Sequence, residues 1–145
     1  MPMWLAGLIG GLIGGVAMAM VAMMLMPMLK QSPLYPVQLM AATVEGPSAV
    51  GGGMSADMLG AMIHMVMSAI FGVIYGVVLG ALGWTALWVL IVAGIVWALF
   101  LYVVNEYGTL PLIDKVMAER MPPLAFMMSH VAYGAVLGVL VWVLR

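Results

Sequence analysis

Two histidines, one isolated acid and a large supply of methionine are the groups in this 145-residue chain that could do chemistry. His64 and His130 each lie in a long apolar stretch. A pair of imidazoles on facing helices can supply both axial ligands of a b-type haem, with glycines beside them leaving room for a porphyrin. Thioethers beside imidazoles favour Cu(I) instead. Met62 with His64, and Met128 with His130, have that composition, and the run Met23-Met24-x-Met26-x-Met28 adds more sulfur. Neighbours on a helix diverge by about 100°, so the whole run cannot face one way. Glu106, with the histidines, could instead relay protons or move a solute. Against these stands a plainer role. Histidines at helix starts hydrogen-bond neighbouring carbonyls, methionine fills irregular gaps between helices, and an acid at a membrane interface is simply solvated. The expectation is this plainer role: no enzyme, with His64 and His130 as candidate cofactor or metal ligands only.

Soluble-enzyme motifs are missing. Gly51-Gly52-Gly53 is followed by no Lys-Ser/Thr pair, so it is not a phosphate loop. The acids lie in connections while both histidines lie in apolar segments, which leaves no credible Ser-His-acid set. The chain has no cysteine, which removes thiolate metal sites, iron–sulfur clusters and disulfides.

The segments that carry these residues are extreme in composition. The chain is 67% hydrophobic and 6% charged, with four cations and five anions. A soluble domain is about 25% charged, so this chain cannot cover a globule with a solvated surface. Four cations at net charge −1 also exclude a nucleic-acid-binding face. An integral membrane protein remains, with the lipid bilayer as its first partner.

About 20 apolar residues span the hydrocarbon of a bilayer. Residues 1–29 carry no side-chain charge and Pro27 closes the run, which places helix 1 at 4–26. Residues 58–105 carry no formal charge and would make a single helix of about 70 Å. Gly80-Ala-Leu-Gly-Trp84 must therefore break them into helices at 58–80 and 84–105. Pro122-Pro123 precede a fourth helix at 124–144. The connection 30–57 contains Val37 to Val44, a candidate interfacial helix, followed by a stretch from Glu45 to Asp57 that reads as a flexible loop. The expected fold is all-α: an integral membrane four-helix bundle forming a single domain over 1–145. The N-terminus has no basic region and does not read as a cleavable signal.

Trp4, Trp84, Trp88 and Trp142 fall at one end of this layout. Tyr35, Tyr102, Tyr107 and Tyr133 fall toward the other, as two interfacial belts. Lys30, Lys115 and Arg120 lie in the long connections, opposite Arg145. The positive-inside rule then puts those connections in the cytoplasm and both termini outside. Methionine is absent from Ser68 to Asn105 and from Ser129 to Arg145, so thioethers and imidazoles share one end of the bundle.

The chain also matches itself. At an offset of 66, His64 falls on His130, Met62 on Met128 and Gly72 on Gly138. At an offset of 84, Gly10 falls on Gly94 and Pro27 on Pro111. Two helical hairpins of the same orientation would make a parallel pseudo-repeat. Ser68, Gly72 and Gly76, and Gly134 with Gly138, form small-residue ridges that let helix backbones approach closely. The segments Gly7-Leu-Ile-Gly-Gly-Leu-Ile-Gly-Gly15, Phe71-Gly-Val-Ile-Tyr-Gly76 after His64, and His130-Val-Ala-Tyr-Gly-Ala-Val-Leu-Gly138 resemble small four-helix bacterial inner-membrane proteins of unknown function. That resemblance implies a bacterial or archaeal inner-membrane location and no particular activity. The expected role is an accessory or structural subunit. It would pack against a larger respiratory, photosynthetic or oxygenase complex, or against itself. A haem b or copper protein and a small transporter are the alternatives.

Overall fold

The computed structural model describes residues 1–145. The chain is 86% helix and has no strand. Helix α1 spans Met3–Leu25, α2 Tyr35–Glu45, α3 Met54–Leu82, α4 Leu87–Val104, α5 Leu110–Ile113, α6 Lys115–Arg120 and α7 Pro123–Leu144. Four helical segments are long and apolar enough to cross a membrane: Met3–Leu29, Met54–Leu82, Leu87–Ile113 and Pro123–Leu144.

Local sequence sets the ends of these elements. Pro27 opens a single 3-10 turn after α1, because it has no N–H for a continuing helix. Gly83, at φ 66°, caps α3 in the left-handed conformation, and its N–H returns to the helix. Trp84 to Ala86 form the turn, so α4 starts at Leu87, three residues after the point the glycine break suggests. Helix α3 starts at Met54, ahead of residue 58, with Asp57 in its first turn, where an acid suits the helix dipole. It is about 44 Å long, so its first turns extend past the thickness of a bilayer core. Pro111 cannot donate to the carbonyl one turn back. The ladder slips there, and Asn105–Thr109 form a π-turn in which the Leu110 N–H reaches the Asn105 carbonyl.

The four long helices are antiparallel neighbours in the order α3, α1, α7, α4. Glycine decides three of the contacts. A Cβ on Gly72 would run into the Gly7 carbonyl, and one on Gly76 into the Met3 carbonyl, so α3 lies directly on the backbone of α1. Gly134 against Gly94, and Gly138 against Leu90, bring α7 onto α4 in the same way. Gly10 and Gly14 accept Leu137 and Tyr133 between α1 and α7. The fourth seam, α3 to α4, stays open. The Tyr75 hydroxyl donates to the Leu90 carbonyl across it. Beyond that bond, the seam is a groove of about 880 Å³ lined only by hydrophobic residues, including Trp84, Trp88, Trp97 and Phe100. A hydrogen bond between membrane helices contributes on average about 0.6 and at most about 1.7 kcal/mol. Tyr75→Phe is expected to lower stability within that range, read from an unfolding titration in mixed micelles.

The first connection is a folded strap. Helix α2 packs on α3, where Gly60 leaves space for the Val37 carbonyl. Gln38 holds it at two points: its Nε2 donates to Asp57 Oδ1 at 3.0 Å, and its Oε1 accepts from the Gly51 N–H at 3.0 Å. The stretch expected as a flexible loop thus contains a 3-10 turn over Gly46–Ala49 and a backbone amide fixed by a side chain. Tyr133 also departs from expectation. It is 2% exposed and donates to the Ser68 carbonyl at 2.8 Å. It is a core residue joining α7 to α3 rather than part of a belt, because Gly14 opens space for its ring.

Candidate functional site

The two histidines come together at the end of the bundle covered by α2 and α6. Both line one cavity of about 200 Å³, with walls from α1, α2, α3, α4, the π-turn, α5, α6 and α7. His130 is 3% exposed. Its ring stands edge-on to Phe126, centroids 4.4 Å apart, and to Tyr102 at 5.9 Å. These two rings fix its plane.

Hydrogen bonds set the tautomers. His130 Nδ1 lies 2.8 Å from the Phe126 carbonyl, and His64 Nε2 lies 2.8 Å from the Gly15 carbonyl. A carbonyl only accepts, so each of these nitrogens carries the proton. His130 Nε2 and His64 Nδ1 are then left as lone pairs. Each imidazole thus makes the backbone contact of the plainer reading and keeps one nitrogen free.

Polar groups form part of the cavity wall. Ser68, Asn105, Thr109, Thr43 and Tyr133 share its lining with Met18, Met40, Met67 and Met117. Asp114, 2% exposed, secures the roof. Its Oδ2 accepts from Thr43 Oγ1 of α2 at 2.9 Å, and its Oδ1 caps α6 by accepting from the Met117 N–H at 2.9 Å. Toward the chain termini the core is apolar apart from two tyrosine hydroxyls and the unpaired Trp97 indole N–H packed against it. It is built from Ala6, Tyr75, Leu79, Leu90, Ala98, Leu101, Tyr133, Leu137 and Val141. A polar route therefore does not continue through the bundle.

The other residues singled out by sequence are placed as follows. Met62 is 59% exposed and Met128 44% exposed, so both face outward from the bundle. They stand beside the histidines in sequence, and residues two positions apart on a helix lie on different faces. The thioethers that do line the cavity are Met18, Met40, Met67 and Met117. Sequence spacing missed them because α2 and α6 bring two of the four. Glu106 sits in the π-turn with one carboxylate oxygen buried and unpaired, but it is not part of the cavity lining, so no Glu106–histidine relay is assembled. Gly72, Gly76, Gly134 and Gly138 are all at close backbone approaches.

A haem does not fit this arrangement. Pockets for drug-sized ligands run from about 300 Å³ upward, and this cavity holds about 200 Å³. His64 also directs its Nε2 to Gly15, leaving only the more hindered Nδ1 for a bulky macrocycle. Three or more His, Cys, Asp or Glu side chains do not gather anywhere in the chain as a metal site. Comparison with protein-family models, with curated proteins and with solved structures finds no significant match.

Proposed function

We propose that the chain is a multi-pass protein of a cell membrane, without catalysis of its own. In this reading it is an accessory subunit that receives an apolar helix of a larger membrane assembly in the α3–α4 groove. Respiratory, photosynthetic and oxygenase complexes are the assemblies such subunits serve. The observation that carries this reading is the open seam. Three of the four helix pairs close on glycine, whereas the fourth leaves about 880 Å³ lined by twelve hydrophobic residues. Lipid can fill such a groove, but a helix fills it with better packing, which is what drives association in a bilayer. The cations Lys30, Lys115 and Arg120 lie at the α2–α6 end, and by the positive-inside rule they support a cytoplasmic position for that end, with both termini outside.

Read as a duplicated hairpin, the chain makes the open α3–α4 seam the counterpart of the closed α1–α7 seam. Supporting it, Gly72 meets the Gly7 carbonyl as Gly138 meets the Leu90 carbonyl, and Gly11 meets Ser68 and Gly72 as Gly94 meets Gly134 and Gly138. These contacts keep the offset of 66 for the second helix of each hairpin. They favour 83 for the first, one residue less than the identities alone suggest, with Gly11 rather than Gly10 as the counterpart of Gly94. Under that register Trp97 stands where Gly14 stands in the other half. The indole and its stacked neighbour Phe100 line the α3–α4 groove, where the other half has the small Gly14 against Tyr133.

Filling the groove tests the proposal. Val92→Trp combined with Ala93→Trp is expected to abolish co-migration with partner subunits on native gels of solubilised membranes, while Val16→Trp on the outer face of α1 leaves it intact. Cross-links between identical chains would identify a second copy as the occupant. A wild-type chain that migrates as a stable lone monomer would overturn the reading.

A further inference from the structure

The geometry points to a binding site for one Cu(I) ion in the roofed cavity, with ligands drawn from the imidazoles of His64 and His130 and the thioethers of Met18, Met40, Met67 and Met117. The ligand chemistry rests on three observations. First, both imidazoles are locked by backbone carbonyls, His64 through Nε2 and His130 through Nδ1. This is the arrangement that fixes a metal-binding histidine and leaves its other nitrogen as a donor. Second, both histidines and all four methionines line the same cavity of about 200 Å³, with Met67 at its exposed edge, which is room for an ion and its ligands but not for an organic cofactor. Third, the cavity lining contains no carboxylate and the chain has no cysteine. A divalent ion would bring in two charges with nothing to neutralise them. Hard cations need oxygen anions, and zinc sites use thiolate, imidazole and carboxylate. A neutral set of thioethers and imidazoles instead suits a soft monovalent ion. Gap-filling methionine alone would account for the sulfur, but not for two imidazoles, His130 buried and His64 half-buried, that line the same cavity with one nitrogen each left unbonded.

The roof gives the site its access. Met40 and Met117 arrive on α2 and α6, which the Asp114 carboxylate joins. Loading therefore requires only a local opening of these two short helices, not separation of the long ones.

The test uses the full chain in detergent and Cu(I) alone, kept reduced and titrated against the chromogenic chelator bicinchoninate. The wild type is expected to remove one Cu(I) per chain from the chelator. Met117→Leu, which conserves volume, should weaken binding at least about tenfold, the lower end of what altering a metal site's support costs. His64→Ala with His130→Ala should abolish stoichiometric binding. Unchanged helical circular dichroism and elution volume would show that these variants are folded. Met62→Leu and Met128→Leu, on the outward faces, should bind as the wild type does. X-ray absorption of the loaded protein should show nitrogen and thioether sulfur together. Failure of the wild type to compete at stoichiometry would overturn the proposal, as would equal losses from Met62→Leu and Met117→Leu.

Discussion

Gly72→Val is expected to cost the bundle its compact form. A Cβ at residue 72 runs into the Gly7 carbonyl oxygen and stands 2.6 Å from the Gly11 Cα. Both are backbone atoms of α1, so no side chain can swing aside and the two helices must separate. That separation breaks the contact of Gly11 with Ser68 and the hydrogen bond from His64 to Gly15. Overpacking in ordinary cores costs about 1–3 kcal/mol and occasionally more. A clash between two backbones belongs at the upper end, at about 3 kcal/mol or above. The measurement is the folded fraction across a titration with denaturing detergent, with elution volume as a check on compactness. Gly108→Ala is the matched control. Its Cβ would meet nothing within 4 Å, and a change away from packing features stays within about 0.5 kcal/mol. A Gly72→Val variant as stable as the control would mean that α1 and α3 do not pack as described.

The second large effect is expected at the roof. Asp114 is 2% exposed, and one carboxylate serves both Thr43 of α2 and the first turn of α6. Hydrogen bonds to a charged group contribute about 1.5–3 kcal/mol each, and loss of an N-cap alone costs about 0.5–2 kcal/mol. Asp114→Ala should therefore loosen α2 and α6 by about 3 kcal/mol. At about 1.4 kcal/mol per factor of ten, their amides should exchange with solvent roughly a hundredfold faster. The amides of α1, α3 and α7 should keep their protection, because the glycine contacts that hold those helices are untouched. Asp114→Asn retains an acceptor and should fall between the two. Uniform loss of protection over the whole chain would show that the roof and the bundle are one cooperative unit, coupled through Phe126 and Ala125 of α7, which pack with Leu39 and Met117.

How far the sequence reaches depends on whether a contact is local. The four long helices are legible because apolar length and the breakers Pro27, Gly83 and Pro122 act within a few residues. The glycine ridges are legible for the same reason, since small residues four apart share a helix face whatever they meet. The pairing of His64 with His130 at one end follows from counting crossings. Adjacency in sequence offers Met62 and Met128 as ligands, but the helix turns them outward.

What the sequence by itself determined is an all-helical chain with four segments able to cross a membrane, and the end of the bundle where polar and sulfur-bearing groups gather. Composition and 3.6-residue spacing suffice for that, because lipid leaves the backbone no alternative to satisfying itself within each helix. The tertiary structure alone decided the rest. Helix α2 folds back to roof the cavity through Gln38, Asp57, Thr43 and Asp114, pairs as far apart as residues 43 and 114. It also decided which methionines share a cavity with the histidines and which seam stays open. Those outcomes depend on side chains meeting across distant segments, where bulky residues such as Trp97 in the α3–α4 groove, rather than glycine, decide which helices can touch.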